Sequence, residues 1–146
     1  MVFRNFLGEN RRGATYASLT DLLSVSDIVS LHLPYSRDTH HVIGSRELSL
    51  MKNTAFLINT SRGRNVDELA LIEALEKRVI AGAGLDVFHD EPAIPEKLKK
   101  LSNIVMTPHI GSATAKARNG MARVVAENII AHSEGKNPPN VIPELK

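Results

Sequence analysis

The sequence predicts an α/β fold built on a parallel sheet, and three observations carry that prediction. First, four short apolar runs each stop at small or polar residues. They are Ile28 to Leu33 before Pro34, Ala55 to Asn59 before Thr60-Ser61, Ala81 to Leu85 before Asp86, and Ile104 to Met106 before Thr107-Pro108-His109. Runs of this length bounded by turn residues read as buried strands. Second, segments of helical spacing lie between them, and strand, helix, strand in that order is a parallel crossover unit. Third, 146 residues, 42% hydrophobic and 23% charged, make one domain with a real core and are too short for two comfortable ones. Ligands of open parallel sheets collect where the strands end. Arg62, Asp86 and His109 are therefore expected to face one crevice.

Taken in order, Val2 to Leu7 reads as the tail of a strand and Gly8 to Gly13 as a turn. Ser18 with Asp21 is a capping pattern, and Leu19, Leu22 and Leu23 give the short helix behind it one apolar face. Ile28 to Leu33 is the next strand, ended by a proline that cannot continue a ladder. Tyr35 to Gly44 reads as loop, Ser45 to Met51 as a short helix, and Ala55 to Asn59 as a strand. After Gly63, Asn65 with Glu68 suggests a helix cap, and Asp67 suits the positive end of the dipole. Val66, Leu69, Ala70, Ile72 and Leu75 supply the expected apolar stripe. Val79 to Val87 is a strand rich in small residues. Phe88 to Leu101 is a charged connection with a short amphipathic piece. Asn103 to Pro108 is the last strand. Ser112 then opens a long helix to about His132, which Gly135 and Pro138-Pro139 stop.

Composition excludes several function classes. The formal charge is +2, and the only adjacent basic pairs are Arg11-Arg12 and Lys99-Lys100. With 4% aromatic residues, this is a solvated surface with no nucleic-acid stripe. Cysteine is absent, which removes disulfides, thiolate metal sites and a thiol nucleophile. No run resembles a signal peptide or a membrane span, so a cytoplasmic protein is expected.

Six histidines need sorting. His32 lies within an expected strand and reads as a satisfied core or edge residue; His40-His41 and His132 read as surface. No zinc spacing such as H-E-x-x-H occurs, and no metal site is expected. His109 differs, because it follows a strand and precedes Gly111-Ser112 at an expected helix start, where backbone N–H groups can hold an anion. Glu91 is either a partner for an imidazole, raising its pKa for general-acid work, or an acidic loop residue with none. Arg62 is either a bidentate ligand for a carboxylate that polarises an adjacent carbonyl, or a surface arginine beside a helix. Asp86 follows an apolar run and needs a donor such as an amide to be buried there.

These residues carry a family resemblance. Asn59-Thr-Ser-Arg-Gly63, Gly82-Ala-Gly-Leu-Asp-Val-Phe88, Glu91-Pro92 and Thr107-Pro-His-Ile-Gly-Ser-Ala-Thr114 together resemble the D-isomer-specific 2-hydroxy-acid dehydrogenases, in that family's order and spacing. Asp27 to Pro34 and Thr39-His-His-Val-Ile43 agree, so the resemblance runs from about Gly13 to the end. The nearest flavour is that of the glyoxylate and hydroxypyruvate reductases; phosphoglycerate, formate and other hydroxy-acid dehydrogenases are the alternatives. The resemblance implies a partial Rossmann-type, doubly wound parallel sheet with a long C-terminal helix. It implies His109 as proton donor to a 2-keto group, Glu91 as its partner and Arg62 as the residue that binds and polarises the keto acid. It also implies an NAD or NADP cofactor, with Asp86 bonding the carboxamide and Leu33, Pro34, Thr60, Ser61, Arg62, His109 and Gly111 around it.

The family's G-x-G-x-x-G phosphate loop is absent from the sequence, as is the N-terminal part of the substrate domain. Residues 1–146 are thus expected to form an incomplete NAD(P)-binding domain with its C-terminal helix. Arg4 and Asn5, near where an acidic residue would select NAD, point to NADP. Two functions follow: a reductase of 2-keto acids, or a truncated, non-catalytic remnant that binds nucleotide weakly or associates with a full-length relative. The strand Ile28 to Leu33, lacking its usual neighbour, offers an apolar edge for pairing, so a homodimer is expected.

Overall fold

The four strands expected between Ile28 and Pro108 all form, three of them shorter than their apolar runs. The structure is a computed structural model describing residues 15–142. Val2 to Leu7, Gly8 to Gly13, and with them Arg4 and Asn5, lie outside the described residues. The chain divides into two units, Met1–His109 and Ile110–Lys146.

In the first unit the order is α1 (Leu19–Val25), β1 (Ile28–Leu31), α2 (Ser45–Leu50), β2 (Phe56–Asn59), α3 (Glu68–Glu76), β3 (Gly82–Leu85), α4 (Glu96–Lys99) and β4 (Ile104–Met106). The strands lie side by side in the order β1-β2-β3-β4, and all three pairings are parallel. Their carboxyl ends therefore share one edge, as the sequence implied.

One face of the sheet makes the core. Val29, Leu31, Leu57, Ala83 and Leu85 alternate inward, and meet Leu23, Ile43, Leu48, Leu71, Leu75, Ile80 and Leu98, none of which is more than 1% exposed. Each such side chain contributes about 1.5–3 kcal/mol by leaving water. Ser18 caps α1 by accepting from the Asp21 N–H, as expected. Gly82 is required within β3: a Cβ there would lie 2.7 Å from the Asn103 carbonyl oxygen and 3.1 Å from the Phe56 ring.

Several expectations are corrected. β1 stops at Leu31, so His32 lies beyond the strand; it is exposed, with Nε2 2.9 Å from the Ser30 hydroxyl. Tyr35 to Gly44 is not wholly loop. It holds a 3-10 turn at Arg37–Thr39, and Ile43 bridges in parallel to Val66. Asp67, not Asn65, caps α3, its carboxylate accepting from the Leu69 and Ala70 N–H groups at 3.1 Å. The stripe shifts in consequence: Leu69 is 73% exposed and Leu71 takes its place in the core. Val66 belongs to the bridge with Ile43, so counting the helical phase from it placed Leu69 on the wrong side.

In the second unit, α5 (Ala115–Ser133) is capped by Thr114 and not Ser112; the Thr114 hydroxyl accepts from the Ala117 N–H. The helix ends where expected. Gly135 adopts φ +70° and donates its N–H to the His132 carbonyl, a left-handed stop suited to glycine. Met121, Val124, Val125 and Ile129 are exposed.

Candidate active site

The end of β2 is the most heavily tied segment of the strand edge. The Asn59 side chain is 1% exposed. Its Oδ1 accepts from the Ser61 N–H at 3.0 Å and the Ser61 hydroxyl at 2.8 Å, while its Nδ2 donates to the Arg62 carbonyl at 2.9 Å. Asn65, fully buried in a 3-10 turn at Gly63–Asn65, donates Nδ2 to the Leu33 carbonyl at 3.0 Å and to the Ser61 hydroxyl at 3.1 Å. Its Oδ1 is buried with no hydrogen-bond partner. Arg62 is exposed, and its Nη1 donates to the Ser61 carbonyl at 2.6 Å. Gly63 is forced by a close approach, because any Cβ there would overlap the Phe88 carbonyl.

At the end of β3, Asp86 is 7% exposed. A donor was expected for it, and the structure supplies the Thr107 hydroxyl. Glu91 follows in the connection, after which the Glu91–Pro92 peptide bond is cis. Its Oε1 accepts from the Phe88 N–H at 2.9 Å and its Oε2 lies 2.7 Å from His109 Nδ1. Of the two readings left open for Glu91, the imidazole partner is the one this geometry supports. The hydrogen bond from His109 holds the Glu91 carboxyl below its usual range; burial opposes that, and the Phe88 N–H adds to it.

His109, at the end of β4, has φ +52°. Such a conformation costs a residue with a Cβ about 1–2 kcal/mol, and here it accompanies a bond from the His109 N–H to the Thr107 carbonyl. α5 starts only at Ala115, so His109 is not at a helix start as expected.

Arg62, Glu91 and His109 line one open cleft of about 460 Å³ with Tyr35, Gly63, Arg64, Phe88, His89 and Asp90. A volume of that order accommodates a small ligand. Among the residues expected around a cofactor, Pro34 and Thr60 are exposed at the ends of β1 and β2, and Leu33 is half-buried. Ser61 is 9% exposed, its hydroxyl turned inward to the two asparagines. Gly111 lies in the second unit and is exposed.

Sequence reasoning missed the far wall. Arg64 pairs with Asp90 at 3.1 Å, and Tyr35 Oη lies 3.4 Å from His40 Nδ1. The His40 and His41 rings stack at 3.9 Å, with His89 5.8 Å from His41. His41 is half-buried, not surface, and its Nε2 is buried without a partner. Burial above all, then His40, pushes its pKa down. His40 and His41 fall in the Thr39 to Ile43 motif, and Arg64, His89 and Asp90 lie beside Arg62 and Glu91, but no local pattern shows that these residues meet.

Comparison with known proteins gives a consistent result. Residues 4–111 match the family model for the D-isomer specific 2-hydroxyacid dehydrogenase, NAD binding domain. Over 134 residues the chain is 55% identical to a glyoxylate reductase of Thermococcus litoralis, spanning 92% of this chain but 40% of that protein. An NADPH-dependent glyoxylate/hydroxypyruvate reductase of Sinorhizobium meliloti, solved with NADP and malonate, superposes with a TM-score of 0.87 at 34% identity, over 94% of this chain and 44% of that one. A D-lactate dehydrogenase of Lactobacillus jensenii, solved with NAD+, gives a TM-score of 0.83 at 37% identity, over 94% of this chain and 46% of that one.

Proposed function

Because the chain belongs to the D-isomer specific 2-hydroxyacid dehydrogenase family, through its NAD binding domain, we propose that it serves NAD(P)-dependent interconversion of 2-keto and D-2-hydroxy acids, with glyoxylate or hydroxypyruvate as substrate. The observation that carries the reading is the 2.7 Å contact between His109 Nδ1 and Glu91 Oε2 at the cleft that Arg62 also lines.

Arg62 binds the substrate carboxylate as a charge-assisted fork and polarises the adjacent keto oxygen. Glu91 orients the imidazole through Nδ1, leaving Nε2 as the ring atom that delivers a proton to that oxygen. The carboxylate also stabilises the imidazolium that gives the proton up. The residues fit a dinucleotide: exposed Pro34 and Thr60 and buried Asp86 stand at the carboxyl ends of three parallel strands, where such ligands settle. Leu33, Pro34, Thr60 and Asp86 would hold its nicotinamide half, while Ser61 acts from beneath through its inward hydroxyl. The bound reduced cofactor supplies the hydride that reaches the keto carbon. Arg4 and Asn5 favour NADP.

Among the described residues no helix is long and apolar enough to cross a membrane; we place the protein in the cytoplasm. Among them β1 pairs only with β2, so its outer edge supports a homodimer or association with a longer relative.

The test is NADPH and NADH binding to the purified chain by fluorescence, followed by glyoxylate or hydroxypyruvate. Binding, with loss of the reduced-cofactor signal that His109→Ala abolishes, supports the enzyme. Binding without turnover favours the remnant reading. No binding overturns the enzyme reading and weak nucleotide binding alike, and leaves association with a full-length relative.

A further inference from the structure

Arg62 stands on a relay of buried hydrogen bonds that a packed core does not need. Asn59, Ser61 and Asn65 are 1%, 9% and 0% exposed, among Leu57, Val66 and Leu85 in the core beneath the strand ends. Apolar side chains would suit such positions better, since every buried polar group must find a partner. Asn65 does not meet that requirement in full: its Oδ1 has no partner. A buried acceptor left unsatisfied is a cost to folding, so what its Nδ2 does in return identifies its use.

That nitrogen reaches the Leu33 carbonyl beyond β1 and the Ser61 hydroxyl beyond β2. Ser61 passes the constraint to Asn59 Oδ1, which also receives the Ser61 N–H. Ser61 is thus held through its hydroxyl and its N–H, which fixes the Thr60–Ser61 peptide and the Ser61 side chain just ahead of Arg62. Two bonds secure the far side of Arg62, since its carbonyl accepts from Asn59 Nδ2 at 2.9 Å and from the Asn65 N–H at 3.2 Å. The Ser61 carbonyl in turn receives Arg62 Nη1 at 2.6 Å. An exposed arginine has many rotamers, and a side chain this long loses much of that freedom when it is fixed. Here the Ser61 carbonyl sets its starting direction, and the buried amides hold the backbone on either side of that carbonyl, at the Ser61 N–H and the Arg62 carbonyl.

We propose that Asn59 and Asn65 are positioning residues for Arg62, acting through Ser61 to aim the guanidinium at the carboxylate of the substrate. The inference rests on the reading of Arg62 given above, and it adds that the end of β1 and the end of β2 are locked together to serve it. Asn65 is the link between the two strands, and Asn59 is the clamp on either side of the arginine.

The experiment uses the full chain, labelled with 15N, and oxalate as the probe for a 2-keto acid carboxylate. Asn65→Ala removes both side-chain donors and leaves Asn59 and Gly63 in place. The expected result is faster amide exchange at Ser61, Arg62 and Gly63 with the β2 and β3 amides unchanged, a displaced Arg62 Nε–H signal, and oxalate affinity lower by at least about fivefold. Asn65→Asp supplies a donor only while its carboxyl is protonated. Its Arg62 signal should therefore return toward that of the wild type as pH falls, a profile that simple loss of stability does not produce. If Asn65→Ala fails to fold, Ser61→Ala cuts the same relay at its middle and is read in the same way. Unchanged exchange and an unchanged Arg62 signal overturn the proposal, whether or not oxalate binds. Loosening at Arg62 in a chain that never binds oxalate upholds the positioning role and refutes the substrate reading instead.

Discussion

Glu91→Gln separates the catalytic value of the Glu91–His109 contact from its structural value. Glutamine keeps an oxygen to accept the Phe88 N–H, made at 2.9 Å by Oε1, and changes only the group facing the imidazole. The two side chains are 34% and 48% exposed, so water screens the pair. Exposed pairs contribute about 0.2–1 kcal/mol, and about 1 kcal/mol moves the melting temperature of a chain this size by roughly 2–5 °C. Catalysis should suffer far more. A positioned proton donor contributes roughly 10²–10⁴-fold, and without the carboxylate the imidazolium loses both its orientation and its counter-charge. The expected fall in kcat is about 10²-fold, or about 2.7 kcal/mol, nearly three times the stability change. The pH dependence has a definite sign. The folded-state pKa of Glu91 is depressed below its ordinary value of 4.5, chiefly by the hydrogen bond from His109. The stability it contributes is thus complete above that ordinary value and disappears as pH falls through the folded value. Wild type and Glu91→Gln should therefore differ at pH 7 and converge in acid. Steady-state rates with glyoxylate and urea melts across pH provide both readings. A kcat within about threefold of wild type, in a folded variant, would refute the assignment. So would a stability loss of several kcal/mol, which would make the contact a structural clamp.

Other perturbations follow from the same geometry. Gly63→Ala drives a Cβ into the Phe88 carbonyl, and the overpacking should cost about 1–3 kcal/mol in a urea melt. A midpoint equal to that of wild type would show that the Phe88 segment moves freely. Thr107→Val removes the hydroxyl that Asp86 accepts, and should cost about 1.5–3 kcal/mol because the acceptor is a buried carboxylate; an unchanged midpoint would count against that bond. His41 has its pKa pushed below 6.5 by burial and then by His40, with His89 and Arg64 acting in the same direction and Asp67 against them. The folded state favours neutral His41, so its contribution is present above 6.5 and is lost as pH falls through the lowered value. His41→Asn removes the titration and tolerates φ +49°. It should lose less urea stability than wild type between about pH 7 and pH 5; equal losses would place the titration elsewhere.

Where the sequence reading succeeded, it used signals that act over a few residues. Apolar runs cut by Pro34, Thr60, Asp86 and Thr107 mark strand ends, and parallel pairing then brings Arg62, Glu91 and His109 to one cleft. The errors came where one local pattern serves two physical ends. Asn65 with Glu68 three residues on is the grammar of a helix cap, yet Asn65 is buried and binds the Leu33 carbonyl across 32 positions of chain. Asp67, two residues later, satisfies the same first-turn N–H groups, and a free N–H does not record which side chain will reach it. The choice between them is made by the bridge of Ile43 to Val66, a contact from the preceding crossover. With Val66 held in an extended bridge, the helix has to begin after it, and Asn65 is left to turn inward. His40 and His41 show the same limit. Adjacent histidines in a polar loop read as surface, but pairing of the His41 N–H with the Arg64 carbonyl carries the loop against the cleft wall, where His41 stacks and loses solvent. The cleft's chemistry was thus visible in motifs. Its support was not, because that support is made of contacts between crossovers.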